Sequence, residues 1–283
     1  MQCKVQANKI HSRFGVAKAA TPFFMTKIIH RRLIDLDEKI DLPAAARARV
    51  AAVERMLPVI YFCAGDLAII LADKKLLKYT NRLKSTLQHR LSDHVMNSCV
   101  GSFCKLDRSR LEKGALNNYF KIVNNLNSSN LLGMINAACI ELTGNSNTLR
   151  NGDMYVKSHL GSSAIKFEKT SLNLFLRVLD SCLLDKSSPL IKAIRCMVSI
   201  LNLHPLHDGN GRIARIVFNY FLRLSGLPKC SYIPIYEFFC FSEGGYEVRL
   251  RGAEIYGNWQ GFIEYICNIL EACYEIHRLK LDR

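Results

Sequence analysis

The chain has 283 residues, of which 49% are hydrophobic and 22% are charged. This composition is typical of a folded globular protein with one large domain or a main domain and an extension, and it excludes disordered, collagen-like and low-complexity chains. The 39 Lys and Arg residues exceed the 24 Asp and Glu residues, and the formal net charge of +15 favours anionic partners such as nucleotides, nucleic acids, acidic proteins or membranes.

Three features of the sequence bear on where the protein works. The 11 cysteines include no Cys-x-x-Cys pair, which predicts buried thiols in a reducing compartment rather than a zinc ribbon or a disulfide framework. The longest apolar run, residues 57–72, is broken by Pro58 and Asp66 and is short for a bilayer, so no transmembrane helix is expected. The N-terminus lacks the continuous apolar core of a secretory signal. We therefore expect a cytoplasmic protein, or one secreted into a host cell without a classical signal peptide.

Residues 1–101 are predicted to form a basic, mostly helical N-terminal extension. The first hundred residues carry 17 basic and 8 acidic side chains, and no acidic residue precedes Asp35. Asp41 is a good N-cap for a helix with Pro43 in its first turn and the alanine-rich run of residues 44–56 after it, and an amphipathic helix with a basic face is expected over residues 73–95. The acid-free start fits a transit peptide, a segment read by a secretion machine or a solvated arm. For the basic helix face, exposure to water is favoured over contact with a membrane.

Residues 102–283 are predicted to form the main domain, which is mainly helical with one small β-hairpin. Short apolar runs on both sides of a Gly/Ser tip indicate the hairpin over residues 154–167. A polar stretch with two glycines, residues 143–153, is expected to be a loop. Helical spacing of apolar residues predicts helices over residues 119–126, 131–142, 171–184, 189–202 and 212–224.

The most informative segment is residues 204–215, His-Pro-Leu-His-Asp-Gly-Asn-Gly-Arg-Ile-Ala-Arg, between the last two of these helices. A turn followed by a helix N-terminus presents unpaired backbone N–H groups and the positive end of the helix dipole. Gly209 and Gly211 allow close approach of the backbone to a ligand, and Arg212 and Arg215 project from the first helical turn. These residue types in this pattern indicate a phosphate-binding site.

Two further residues of the segment supply acid–base and metal chemistry. His204 can accept a proton near neutral pH. Asp208 suits Mg²⁺, which prefers one or two carboxylates together with phosphate oxygens. A base, a metal-binding carboxylate and an anion site together favour phosphoryl or nucleotidyl transfer.

The segment resembles the signature of the Fic family, His-Pro-Phe-x-(Asp/Glu)-Gly-Asn-(Gly/Lys)-Arg-x-x-Arg, and it departs only at Leu206, where Phe is usual. Arg150-Asn151-Gly152 is similar to the family's lead-in to a target-docking flap, although Arg150 also fits a surface residue. The resemblance covers residues 102–275 and includes a later Tyr-x-x-x-Leu…Gly-x-Trp stretch formed by Tyr246, Leu250, Gly257 and Trp259.

The resemblance implies a protein adenylyltransferase that moves AMP from MgATP to a Ser, Thr or Tyr hydroxyl of a target protein. His204 would be the catalytic base, Asp208 would hold Mg²⁺, and the phosphates would bind Gly209, Asn210, Gly211, Arg212 and Arg215. The hairpin would be the flap that pairs with the target through Tyr155, Val156, Ile165 and Phe167, and Tyr246 would line the nucleotide pocket. For Phe167, a role in core packing is favoured.

Other readings stay open beside this one. Gly211 stands where kinase-like relatives carry Lys, and Asp208 is retained where phosphocholine-transferring relatives lose the acidic residue, so AMP transfer is favoured over transfer of phosphate or phosphocholine. UMP transfer and a non-catalytic binding module of the same fold remain alternatives. A transition-metal site at His204, His207 and Asp208 would leave the glycines and arginines unexplained, and no nucleic-acid-binding pattern is present.

Regulation is the least specified part of the sequence. The family's inhibitory helix, (Ser/Thr)-x-x-x-Glu-(Gly/Asn), has no good match, and the nearest stretch, Ser109 to Gly114 around Glu112, has the wrong spacing. Inhibition is therefore expected from a separate protein, from a degenerate helix at Glu112, or not at all. The basic start and the missing inhibitory motif also suggest a bacterial toxin or an effector delivered to host cells.

Overall fold

The computed structural model describes residues 28–29, 40–63, 65–66, 73, 77–88, 107–123, 125–144, 149–157, 164–242 and 244–282. Within them the chain is mainly helical with a small β-sheet, which confirms the predicted fold class. The helices are α1 (Ala44–Met56), α2 (Leu77–Leu87), α3 (Asp107–Tyr119), α4 (Ser128–Thr143), α5 (Leu172–Leu184), α6 (Pro189–Leu203), α7 (Asn210–Leu224), α8 (Ile235–Phe241), α9 (Gly245–Tyr256) and α10 (Trp259–Leu281). The strands are β1 (Ile28–Ile29), β2 (Met154–Lys157) and β3 (Ala164–Phe167).

The antiparallel helices α6 and α7 form the centre of the fold and share its most extensive helix–helix contact. Pro189 occupies the first turn of α6, and the Ser188 hydroxyl caps this helix by accepting a hydrogen bond from the Ile191 N–H at 3.3 Å. Most residues of both helices are buried. The segment that connects them, residues 204–209, is therefore held at both ends by the most densely packed part of the core.

The remaining helices surround this pair. Helix α3 packs against α4 and α7, α5 packs against α4 and α6, and α9 packs against α10. Helix α1 lies against α10 and α6, and its Arg49 donates to the Glu271 carboxylate and to Asn268. Residues 44–56 thus contribute to the same core as the later helices, while the boundary at residue 101 stays a prediction. Among the described residues, no helix combines the length and apolarity needed to cross a bilayer.

The sheet contains the predicted hairpin and one strand that was not predicted. Strands β2 and β3 pair antiparallel, with Val156 opposite Ile165. Strand β1 pairs parallel to β3, with Ile28 opposite Ala164, so the strand order is β1-β3-β2. Strand β3 is therefore central, and β2 is an edge strand within the described part of the chain.

The structure corrects one predicted helix and shortens another. The helix expected over residues 119–126 is wrong, because α3 ends at Tyr119 and residues 120–123 are not helical. Phe120 is buried just after α3 ends, and a new helix begins only after Asn127, whose side chain caps α4 by accepting the Asn130 N–H at 2.8 Å. Of the helix expected over residues 73–95, the structure describes helix only over Leu77–Leu87, and residues 89–95 lie outside the described part.

Candidate active site

The connection between α6 and α7 is a tight, internally bonded loop. His204 ends α6 with a left-handed backbone (φ 49°), and its N–H donates to the Ile200 carbonyl at 2.9 Å. The buried Asn210 side chain binds both backbone groups of Leu206, accepting its N–H at 2.9 Å and donating to its carbonyl at 2.7 Å. Leu206 is fully buried and packs in the core, so the departure from the Fic signature at this position changes core packing.

Helix α7 begins at Asn210 with open backbone amides. Its first helical hydrogen bond runs from the Ile213 N–H to the Gly209 carbonyl, and no side chain caps the helix. Gly209 has φ 83°, and a Cβ atom there would lie 3.1 Å from the Thr143 side chain, so both the backbone conformation and the space favour glycine. The N–H groups of residues 210–212 are thus available at a helix N-terminus, where anions are stabilised.

Asp208 and Arg212 form an ion pair at the mouth of this loop. The Arg212 Nη2 lies 2.9 Å from the Asp208 Oδ2, and Asp208 is exposed (62% of the side chain). The other Asp208 oxygen accepts the Gly209 N–H at 2.5 Å, and Arg212 Nη1 donates to the Leu142 carbonyl at 2.6 Å. The predicted metal ligand and the predicted phosphate clamp are therefore adjacent and accessible from solvent.

Arg215 is engaged by a buried carboxylate from α3. Its Nε lies 3.1 Å from Glu112 Oε2, its Nη2 donates to Glu112 Oε1, and the Tyr232 hydroxyl donates to the same carboxylate at 2.7 Å. Glu112 is fully buried, and the Arg215 side chain is 10% exposed. Burial opposes the charged form of Arg215, but the Glu112 carboxylate outweighs it and raises the pKa of the guanidinium. The residue predicted to bind a terminal phosphate already holds an anionic partner.

Arg108 is a further cation at this place that sequence reasoning missed. It precedes Glu112 by one helical turn on α3 and lines the same cavity as Arg215. Its guanidinium lies 4.2 Å from the centre of the Tyr236 ring, and that of Arg215 lies 5.2 Å from it. The spacing of four residues between Arg108 and Glu112 is the signal that both occupy one face of the helix.

The hairpin packs beside the His204 ring. The centres of the Phe167 and His204 rings are 4.1 Å apart, and Ile165 and Phe167 are buried. Val156 is half-buried, whereas Tyr155 is exposed (48%), as expected for alternating positions of a strand. Of the four predicted flap residues, three therefore face the protein and one faces solvent.

Two cavities meet at His204, and Val156, His204 and Arg215 line both. The first has a volume of about 600 Å³ and is polar, with walls formed by residues 207–212, Arg108, Thr143 and other side chains. The second, of about 210 Å³, is mostly apolar and includes Tyr236, Phe239 and Tyr246. Burial raises the pKa of the Tyr246 hydroxyl, so it stays neutral. The two cavities form one cleft, with a polar end at the start of α7 and an aromatic end beside the hairpin.

Arg150 is buried, so the interpretation of it as a surface residue is wrong. It is 2% exposed and lies directly beneath the loop, where its Nε donates to the His204 carbonyl. Its backbone N–H donates to the Pro205 carbonyl at 3.0 Å, and the neighbouring Leu149 forms a β-bridge with Leu206.

Within the described residues, no three His, Cys, Asp or Glu side chains converge to form a metal cluster. The alternative of a transition-metal site at His204, His207 and Asp208 therefore gains no support. The single exposed carboxylate of Asp208 beside open amides and Arg212 still fits Mg²⁺ as it binds together with nucleotide phosphates, since that ion needs only one or two protein carboxylates.

Comparison with known proteins finds a family match for part of the chain and a similar fold. Residues 125–222 match the model of the Fic/DOC family, and no curated protein sequence matches the chain. The structure resembles that of a Fic family protein from Desulfovibrio desulfuricans G20, with a TM-score of 0.52, 15% identity, and 86% of this chain and 76% of that chain covered. It is also similar to Fic-1 (residues 134–508) from C. elegans, with a TM-score of 0.47, 16% identity, and coverage of 84% and 82%. The match to the Fic/DOC family model therefore covers α4 to α6, most of α7 and the loop of the candidate site, within a fold similar to that of a solved Fic family protein.

Proposed function

We propose that the protein is an adenylyltransferase that moves AMP from MgATP to a hydroxyl side chain of a target protein. The observation that carries this proposal is the cleft around His204, with a polar end at the start of α7 and an aromatic end beside the hairpin. A nucleoside triphosphate has the same division between an anionic chain and an aromatic base. The Fic/DOC match over residues 125–222 supports a transferase of this type.

The polar end of the cleft suits the phosphates. The open N–H groups of residues 210–212 at the start of α7 and the Arg212 guanidinium supply donors to phosphate oxygens. Mg²⁺ held by Asp208 would neutralise phosphate charge and stabilise the leaving pyrophosphate. Asn210 contributes its backbone N–H, because its side chain is used to hold Leu206.

His204 is suited to take the proton of the target hydroxyl. It lies at the junction of both cavities, so a hydroxyl entering beside the hairpin meets it next to the phosphates. As the proton passes to His204, the hydroxyl oxygen bonds to the α-phosphorus. The bond from that phosphorus to the oxygen bridging to the β-phosphate breaks, and the electron pair leaves with pyrophosphate. The product is a phosphodiester between the target side chain and AMP.

The aromatic end suits the base, and the hairpin suits the target. Tyr236, Phe239 and Tyr246 offer ring surfaces in a cavity of about 210 Å³. The central strand β3 is paired on both sides, so within the described residues the edge available to an extended target segment is that of β2. Tyr155, which faces solvent from β2, would then contact the target.

The Glu112 carboxylate is proposed to inhibit this activity. The terminal phosphate of ATP needs the guanidinium of Arg215, and Glu112 binds that group through two of its N–H donors. The helix at Glu112 is thus favoured over a separate inhibitory protein as the source of inhibition. Delivery into a host cell as a toxin or effector stays a prediction, since residues 1–27 lie outside the described residues.

The test uses ATP labelled at either the α- or the γ-phosphate, a lysate as the source of targets, and the wild-type chain. Label from the α-phosphate is expected in protein, and His204→Ala is expected to lower the rate about 100- to 10,000-fold. His277→Ala is the matched control, because His277 is a partly exposed histidine of α10 that lines neither cavity of the cleft. Label from the γ-phosphate alone would mean that the protein is a kinase. Transfer only from UTP or CDP-choline would mean that this molecule, and not ATP, is the donor. No transfer from any donor would favour a binding module.

A further inference from the structure

The Arg150 side chain joins two parts of the candidate site that come from different regions of the chain. A guanidinium has five N–H donors in a fixed plane, and within the described residues the acceptors of Arg150 are oxygens at the C-terminal end of α6 or at the two ends of the hairpin. Its Nη2 reaches the Leu203 carbonyl at 3.1 Å, and its Nε reaches the His204 carbonyl. The hairpin partners are the carbonyls of Gly152 (2.6 Å), Phe167 (3.1 Å) and Glu168, and the hydroxyl of Thr170 (3.4 Å).

This arrangement accounts for a buried cation whose hydrogen-bond partners, within the described part of the chain, include no carboxylate. Leu203 and His204 are the last residue and the cap of α6, where unpaired carbonyls and the helix dipole favour a positive charge. Burial lowers the pKa of Arg150, and the nearby Asp153 carboxylate acts in the opposite direction. The Thr170 hydroxyl adds a further donor to the Leu203 carbonyl at 3.0 Å. The carbonyls at the end of α6 therefore accept hydrogen bonds from the Arg150 and Thr170 side chains, which lie before and after the hairpin.

The same contacts act on the conformation of His204. His204 has the only left-handed backbone of a non-glycine residue among the described residues, and such a conformation costs energy that the surroundings must supply. Arg150 binds the His204 carbonyl and also the carbonyl of Phe167, whose ring packs 4.1 Å from the imidazole. The guanidinium thus fixes His204 through its backbone and through the strand that contacts its ring.

We propose that Arg150 is a positioning residue that sets the distance between the His204 imidazole and the hairpin on which the target lies. The proposal rests on the transfer reaction proposed above, because the hairpin matters to catalysis only if it presents a hydroxyl to His204. A misplacement of about 1 Å between reacting groups costs about 100-fold in rate. The phosphates of the nucleotide are proposed to bind at the start of α7, among residues that are not hydrogen-bond partners of Arg150 in the described structure, so we expect most of the affinity for ATP to survive its replacement.

The test compares Arg150→Lys with Arg223→Lys. Arg223 is also buried and donates to Asn117, to the Lys229 carbonyl and to the Ser231 carbonyl, but it lines neither cavity of the cleft. A lysine has three donors on one nitrogen and cannot span both sets of acceptors. For Arg150→Lys we expect kcat to fall about 100-fold with the KM for ATP within about threefold of wild type. For Arg223→Lys we expect a comparable loss of thermal stability and little change in kcat.

Two further measurements keep the proposal testable if Arg150→Lys folds poorly or if the reaction is not the proposed one. Thr170→Val removes one acceptor of Arg150 and one donor to the Leu203 carbonyl. It should lower kcat as well, but by less than Arg150→Lys does. Amide hydrogen exchange of residues 154–157 and 164–167 should rise about tenfold or more in Arg150→Lys relative to Arg223→Lys. This exchange is measured without substrate, so it tests the link between hairpin and loop even if wild type transfers nothing.

The outcomes separate cleanly. Equal losses of kcat in Arg150→Lys and Arg223→Lys at equal stability would overturn the positioning role, as would a higher KM for ATP with unchanged kcat. Unchanged exchange in the hairpin would overturn it as well. A wild-type protein without transfer activity, in which Arg150→Lys still loosens the hairpin, would reject the proposed function and leave the link between hairpin and loop standing.

Discussion

Replacing Glu112 by Ala removes the carboxylate that occupies Arg215 and is expected to raise the rate of AMP transfer. The change deletes both hydrogen bonds from the guanidinium, to Oε2 at 3.1 Å and to Oε1. Alanine keeps the propensity of α3 for helix, which glycine would lower by about 1 kcal/mol. In this variant the Arg215 guanidinium still packs over the Tyr236 ring and lines both cavities, so it is free to bind a phosphate. Glu112→Gln, which keeps the shape and loses the charge, should have an intermediate effect.

The size of the effect follows from the contacts that are lost. Hydrogen bonds to charged groups contribute about 1.5–3 kcal/mol, and the pair is buried on both sides, which limits screening by solvent. If the pair contributes about 2–3 kcal/mol, Arg215 is released in about one molecule in 30 to one in 150. A nucleotide that needs the released form binds about 30- to 150-fold more weakly than to the variant. We therefore expect a rate increase of this size at low ATP, and a smaller increase as ATP approaches saturation.

The assay is the initial rate of label transfer from α-labelled ATP over a range of ATP concentrations, together with the thermal stability of each variant. Stability must be measured because Glu112→Ala also leaves the buried Tyr232 hydroxyl without its acceptor. Asp185→Ala is the matched control, since it breaks another mostly buried ion pair, with Arg195 at 2.7 Å, whose residues line neither cavity. A folded Glu112→Ala protein that binds ATP no more tightly and transfers AMP no faster than wild type would refute the inhibitory role.

Three further predictions concern the metal, the core and pH. Asp208→Asn should weaken the dependence of ATP affinity on Mg²⁺ while leaving affinity in EDTA near that of wild type, as measured by calorimetry; an unchanged Mg²⁺ dependence would remove Asp208 as the ligand. Leu206→Ala, at a fully buried position, should lower the free energy of unfolding by about 2–5 kcal/mol in urea titrations, and a loss below about 1 kcal/mol would contradict the packing described. Burial raises the pKa of the Asp185 carboxyl, but hydrogen bonds from Ser187 and Arg195 outweigh it and the net pKa is lowered. Its stabilisation is therefore present above the unfolded pKa of about 3.9 and is lost as pH falls through the lower folded value; Asp185→Asn should flatten the loss of stability in acid, and equal slopes in both proteins would contradict this.

Features that depend on neighbouring residues were predictable from the sequence. The helix of the alanine-rich run is observed over Ala44–Met56, with Pro43 rather than the expected Asp41 as its N-cap residue, and Ser188 caps α6 as expected. The hairpin followed from short apolar runs on both sides of a Gly/Ser tip. The segment 204–215 carries its conformation in its own residues, because Gly209 supplies the left-handed turn and Asn210 closes the loop.

Features that depend on distant partners were not predictable. Glu112 lies 103 residues before Arg215, and the sequence offered a degenerate helix at Glu112 only as one of three alternatives for inhibition, because the spacing around it does not fit the family motif. Arg150 is followed by Asn and Gly, which are typical of an exposed turn, and only the end of α6 explains its burial. The pairing of Ile28 with Ala164 likewise joins two segments with no shared pattern.

The two buried arginines divide the work of the site between separate networks. In the proposed reaction Arg215 exchanges the Glu112 carboxylate for a phosphate, and its present partners, Glu112 and the Tyr236 ring, come from α3 and α8. Arg150 binds carbonyls at the end of α6 and at the hairpin, whereas the Glu112 carboxylate accepts hydrogen bonds from Arg215 and Tyr232. Because the free energies of networks without shared partners add nearly independently, release of Arg215 need not disturb His204. A site built in this way can be switched through the nucleotide while the geometry for the target stays fixed.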